Sequence, residues 1–259
     1  MLRVERLALG NRWTRRHPAE KAVLSGGLLL LALLLPPLPG AALVAASAVV
    51  IALTGARLPA GDCARVLAPL LGFLGVGAAS LAVSLHLDGG IPSLSVSAAG
   101  LRDAGAVSLR ALAASASLLL FILTTPVTDA LALLRRAGLP VAIVEMMLLI
   151  YRFVAITLET AANGRTAQEA RLGYVGLRRT IRSAGLLAAA LLPRVLDRAS
   201  RMETGLAARG YTGELRVLSP ERRCSPVFLT LTLLLLSGIV AISISTVTQT
   251  LLPPGFLLW

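Results

Sequence analysis

Arg171 in Glu169-Ala170-Arg171-Leu172-Gly173 and Arg209 in Ala207-Ala208-Arg209-Gly210-Tyr211 are the side chains best placed to do chemistry in this sequence. Gly210 is a helix C-cap by type, which leaves Arg209 on a last helical turn, projecting from the helix end. A guanidinium held there presents a rigid fork of donors and keeps its charge, so it can grip a carboxylate or the exposed carbonyl oxygens of a partner. Arginines on a solvated face would look the same at this level, and both readings stand.

Helical spacing leads up to Arg209. Leu192, Leu196, Ala199, Met202 and Leu206 recur in steps of three and four while Arg194, Arg198 and Arg201 occupy other faces, which predicts an amphipathic helix with an apolar underside. Asp197 precedes Arg201 by four residues, the favourable order for a surface ion pair. Upstream, Thr124-Thr125-Pro126 ends an apolar run, because proline removes a donor and restricts the residue before it. A short amphipathic piece from Val127 to Ala137 then closes on Arg135-Arg136, with Gly138-Leu139-Pro140 as stop and restart.

These elements belong to a lipid-soluble chain. Apolar residues make up 56% and mean hydropathy is +0.80, more than a water-soluble core absorbs. Five runs, 22–36, 39–55, 66–87, 105–124 and 226–251, come near the ~20 residues that a helix needs to span a bilayer. The expected class is an all-α polytopic membrane protein. Pro36-Pro37-Leu38-Pro39-Gly40 leads straight from the first run into the second, so the pair reads as a hairpin rather than a cleaved signal peptide. Residues 1–21 carry six basic groups against Glu5 and Glu20, the 56–65 loop has Arg57 and Arg65 against Asp62, and the 88–103 loop alone has an acidic balance. This charge pattern predicts a cytoplasmic N-terminus in the cell membrane. Arg110, the one charge inside the five runs, reads first as snorkelling to the outer interface and second as a functional residue.

Residues 141–162 are long enough to cross but carry Glu145, Arg152 and Glu159, seven apart and on one helix face. A central charge costs roughly 2.5–3.5 kcal/mol, and the ten Val, Ile, Leu and Phe residues return about 0.3–0.6 each, so insertion is close to neutral. Parity decides: if the segment crossed, 163–225 would lie outside with twelve arginines against five acids, contrary to the charge rule. The expected organisation is an arm and four spans over 1–125, a cytoplasmic or interfacial helical coupling domain over 126–225, and a last span within 226–259.

The net charge of +12 does not point to nucleic acid, because aromatics are only 4% and no stacking or zinc motif accompanies the arginines. Cys63 and Cys224 lie beside basic cytoplasmic loop residues and read as plain thiols. The sole lysine is Lys21, preceded by Ala19-Glu20, so the chain has no phosphate-binding loop and any ATP hydrolysis belongs to another subunit. His17 and His86 fall on opposite sides in this topology, and His86 with Asp88 is a poor ligand set, so neither a metal site nor a cofactor is expected.

Leu149-Ile150-Tyr151-Arg152-Phe153, Ala170-Arg171-Leu172-Gly173-Tyr174 and Ala207-Ala208-Arg209-Gly210-Tyr211-Thr212-Gly213, with the Thr124-Thr125-Pro126 turn, resemble the transmembrane T component of energy-coupling factor transporters, in its CbiQ branch. Motif detail runs from about residue 105 to 215 and the layout covers the chain. The resemblance implies that two Ala-Arg-Gly signatures end cytoplasmic coupling helices and that their arginines dock into grooves on two ATP-binding cassette ATPase subunits. By position the second signature is Ala208-Arg209-Gly210, an intact match. The first is Ala170-Arg171-Leu172, with Leu where the signature has Gly and Gly173 one place later, a departure that falls on the backbone rather than on the arginine. Pro126, Arg152, Asp197 and Arg201 would then serve the coupling domain structurally. ATP hydrolysis would close the ATPase pair and reorient a substrate-binding membrane subunit. The branch implies cobalt ion uptake, and similar T components serve nickel or a vitamin such as biotin. The small-residue run from Gly72 to Ser80 would suit close helix contact with such a partner, or contact within the chain.

Two other classes make different demands. A membrane enzyme acting on lipid phosphates needs clustered acids, whereas those here are dispersed, Glu214 and Glu221 among the closest. A self-sufficient channel needs charged residues along its spans, and Arg110 stands alone.

Overall fold

A computed structural model describes residues 3–88, 91–96, 98–211, 222 and 224–251. Outside the described residues lie Thr212-Gly213, Glu214, Glu221 and the 252–259 end of the last segment, together with the side chains of His86 and Asp88.

Among the described residues the chain forms α1 (Arg3–Gly10), α2 (Pro18–Leu34), α3 (Ala42–Val50), α4 (Ala60–Ala82), α5 (Ala98–Thr124), α6 (Val127–Arg136), α7 (Val141–Ala170), α8 (Leu177–Ala207) and α9 (Pro226–Leu251). A hairpin of β1 (Val83–Asp88) and β2 (Ile91–Val96) joins α4 to α5. Helices satisfy their own backbone groups, which hydrocarbon cannot do, and the architecture is that of an all-α polytopic membrane protein. Among the described residues five stretches are long and apolar enough to cross: Pro37–Gly55, Ala60–Ala82, Gly100–Thr124, Val141–Ala170 and Pro226–Thr246.

The number matches the sequence expectation, but the membership differs. The first expected span lies in α2, which has 17 residues, about 26 Å at 1.5 Å per residue, against a hydrocarbon core of ~30 Å. Val141–Ala170 takes its place by length and composition. At this helix apolarity and charge balance oppose each other, since 163–225 follows it with twelve arginines against five acids. The run expected over 66–87 stops as helix at Ala82. Val83, Leu85 and Leu87 alternate there with Ser84, His86 and Asp88 before Gly89-Gly90, a period-two pattern and turn that specify a hairpin. Its strands pair antiparallel with Val83 opposite Val96.

The chain divides into two compact units, one of Leu2–Val127 with Glu221–Trp259 and one of Thr128–Pro220. In the first, Leu28, Ala32, Val44, Ala48, Ala113 and Leu120 form a buried core. Alanine at so many of these places lets helix backbones approach closely, which is how helices gain contact in lipid. Helix α2 stops at a run of prolines, with Leu38 extended and the Leu38–Pro39 peptide cis. Arg110 Nη2 donates to Leu35 O at 3.2 Å, at this broken end. Arg110 thus has a partner within the chain, because the carbonyls ending a helix need donors that prolines cannot supply.

Sequence reading treated Glu20 and Lys21 as topological charges, but both are 1% exposed. Lys21 Nζ donates to Thr124 O at 2.8 Å, and Asn11 Nδ2 to Leu123 O at 3.2 Å. The C-terminal carbonyls of α5, left without a donor where Pro126 interrupts the chain, thus receive a cation and an amide. Glu20 accepts from the backbone N–H of Ser225 and faces Arg16 at 3.9 Å. Trp13 meets Phe228 edge to face at 5.3 Å, and Arg16 lies 4.6 Å from the Phe228 ring centre. The N-terminal arm is consequently a structural clamp on α2, α5 and α9.

Candidate partner-docking site

The second unit is built around α7 and α8. Gly173 allows their connection to be tight: a Cβ there would lie 2.9 Å from Gln168 O and 2.9 Å from Ser183 Oγ. Ser183 Oγ donates to Gly173 O at 2.8 Å, Gln168 Nε2 to Ser183 O at 3.1 Å, and Tyr174 OH to Gln168 Oε1 at 2.8 Å. Arg165 pairs with Glu169 at 2.8 Å and lies 5.5 Å from the Tyr174 ring centre. At the other end Tyr211 OH donates to Glu145 Oε2 at 3.4 Å, tying the end of α8 to the start of α7. Desolvation first, then the Glu145 charge, pushes the Tyr211 phenol above its ordinary pKa.

Helix α8 has 31 residues, about 46 Å of length, with Pro193 near its midpoint. Arg171 lies in the turn before it and Arg209 just past its last residue, so the two arginines occupy opposite ends of one rod. Their backbones are alike. Arg171 N and Gly173 N donate to Gln168 O at 3.1 and 2.9 Å, and Leu172 N to Glu169 O at 3.0 Å. Arg209 N and Tyr211 N donate to Leu206 O at 3.0 and 3.1 Å, and Gly210 N to Ala207 O at 3.0 Å. Each is the same C-terminal cap, in which the residue after the arginine is left-handed, Leu172 with φ 58° and Gly210 with φ 73°. Leu172 therefore preserves the cap geometry that Gly makes at the second signature. It does so with a strain of about 1–2 kcal/mol that glycine avoids.

Ala170 and Ala208 put no bulk beside the arginines, and both arginines are exposed. Among the described residues neither guanidinium has a hydrogen-bond or ion-pair partner. Arg209 also contributes to a groove of about 640 Å³ between α7 and α8, lined by Arg152, Arg198 and Arg201 over Leu149 and Phe153. Arg201 is paired with Asp197, and among the described residues no acid lines the groove. The charges expected on one face of α7 have different surroundings: Glu145 is buried, whereas Arg152 and Glu159 are exposed. Pro126 is buried at the break between α5 and α6.

Sequence reasoning missed Gln168, Ser183 and the two tyrosines. Its available signal was a tyrosine within three residues after each arginine, Tyr174 and Tyr211. On α4, a Cβ at Gly72, Gly75 or Gly77 would meet nothing within 4 Å, so these three glycines are not sites of close helix approach among the described residues, whereas Leu74 and Ala78 of the same run are half-buried.

A family model described as a cobalt transport protein, CbiQ, matches residues 10–220, which take in both arginine caps. The chain belongs to the CbiQ family. A cobalt transport protein CbiQ from Rhodobacter capsulatus is 44% identical over 238 residues, covering 92% of this chain and 96% of the relative. The protein of that name from Salmonella typhimurium is 30% identical over 227 residues, covering 84% of this chain and 100% of the relative. A putative fused cobalt transport protein CbiMQ from Methanocorpusculum labreanum is 28% identical over 166 residues, covering 60% of this chain and 27% of the relative. CbiQ membership together with five apolar helices makes the chain a multi-pass membrane component of a transport family.

Proposed function

We propose that this chain is the non-catalytic coupling subunit, the T component, of an ATP-driven energy-coupling factor importer for cobalt ions. Two unpartnered arginines in matching caps at opposite ends of α8 carry this reading, because one helix then offers two separate ATP-binding cassette ATPase subunits the same grip. Arg171 and Arg209 engage the two subunits, and Ala170, Ala208 and Gly210 keep their approach clear. Arg152 and the Asp197–Arg201 pair maintain the α7–α8 unit, and Pro126 separates it from the spans. The N-terminus and residues 126–225 are cytoplasmic, where the charge rule favours them. Cobalt as cargo is supported by the names of the CbiQ relatives, and a further transport component by the putative fused CbiMQ relative, only 27% of which this chain covers. Closure of the ATPase pair on ATP moves both ends of α8, and that movement reorients the substrate-binding subunit.

The test is the double variant Arg171→Ala/Arg209→Ala in the assembled transporter. It is expected to lose co-purification of the ATPases and cobalt uptake. Unchanged uptake sinks the proposal, and a vitamin-binding partner in the wild-type complex overturns cobalt alone.

A further inference from the structure

A left-handed conformation favours glycine, and the chain has a glycine one position later, yet position 172 carries leucine at φ 58°. The side chain stands mostly outside the protein's own core, being 66% exposed. Val175 is 56% and Leu177 79% exposed, so three apolar side chains within six residues stand beside the unpartnered Arg171. The turn that holds them is tied by Gln168, Ser183 and Tyr174, which is how a strained residue is kept in place. At the other end the corresponding position is Gly210, with no side chain. None of the five apolar stretches long enough to cross a membrane includes residues 171–177, the nearest ending at Ala170.

We propose that Leu172, Val175 and Leu177 form an apolar contact for the same ATPase subunit that receives Arg171, whose docking groove therefore has an apolar wall beside the acceptor for the guanidinium. This rests on the docking reading above. Strain at an exposed residue is retained where its side chain is used, and burying an apolar side chain against a partner is its available use. The two ends of α8 are then not interchangeable, since one grips by charge and apolar contact and the other by charge beside a basic groove.

The experiment compares Leu172→Gly with Arg171→Ala in the complete transporter and places a photo-crosslinking residue at position 172. Leu172→Gly is expected to raise the thermal midpoint of the purified chain by about 2–4 °C while weakening ATPase binding about tenfold, a loss insensitive to salt. Arg171→Ala is expected to weaken binding in a salt-dependent manner. Crosslinking at 172 to an ATPase subunit supports the contact. Crosslinking to lipid or to the substrate-binding subunit, or unchanged binding by Leu172→Gly while Arg171→Ala weakens it, overturns the contact and leaves docking intact. If neither variant alters binding, the docking reading fails and the contact falls with it.

Discussion

At Gly210 the left-handed cap is made by a residue without a Cβ, and the turn is tied to α7 by one tyrosine bond of 3.4 Å. At Leu172 the same cap is made against a steric preference, and three side-chain bonds of 2.8, 3.1 and 2.8 Å brace it. The difference shows that cap geometry is specified twice over: by residue type where the surroundings are sparse, and by surroundings where the residue type is wrong. A signature written in residue letters captures the first case and blurs the second.

The comparison breaks most decisively through the arginines. Single Arg171→Ala and Arg209→Ala variants should each weaken ATPase binding by about 10- to 100-fold, the range for a hydrogen bond to a charged group, as measured by co-purification across a titration of ATPase. If one substitution is silent, the two caps are alike in shape only. Gly173→Ala comes next, because its Cβ would meet Gln168 O, a backbone atom, at 2.9 Å. A destabilisation of about 2 kcal/mol is expected, read as a thermal midpoint lowered by about 4–8 °C; an unshifted midpoint would show that the braced turn can relax. Gly210→Ala should cost about 1 kcal/mol, since alanine must enter φ 73°, and lower the midpoint by about 2–4 °C. The smallest effects belong to the tyrosines. Tyr174→Phe should cost about 1 kcal/mol and Tyr211→Phe less, and amide exchange should quicken more around 168–174 than around 206–211. Equal acceleration would erase the distinction between braced and sparse ends.

The elements were legible where a local rule had no competitor. Pro126 stops α5, Gly138 ends the piece after Val127, and Gly210 follows Arg209 in the left-handed region, each because proline lacks a donor or glycine lacks a Cβ. Reading failed where a residue's partner lay far along the chain. Lys21 counts as one more positive charge until Thr124 O is seen 103 residues away, and Arg110 counts as a snorkelling side chain until α2 ends beside it at Leu35. The hairpin over 83–96 was readable from its alternation, but an apolar run beginning at 66 concealed the change of period at Val83. For the candidate site the arginines and Gly210 were visible from residue type. Leu172 was not, because its φ depends on Gln168 and Ser183, which hold the turn from two different helices.

Mechanically, the proposed docking would make α8 a beam loaded at both tips, with Pro193 near its centre. A proline there has no N–H to offer the carbonyl of Ala189, and its ring crowds the preceding turn, so the weakest section of the helix lies near its middle. Torque delivered at one tip reaches the other diminished by flexure at that section. Under the proposed docking the two ATPase subunits would be geared through a compliant shaft, with small mismatches in the timing of their strokes absorbed at mid-helix instead of prying either arginine loose.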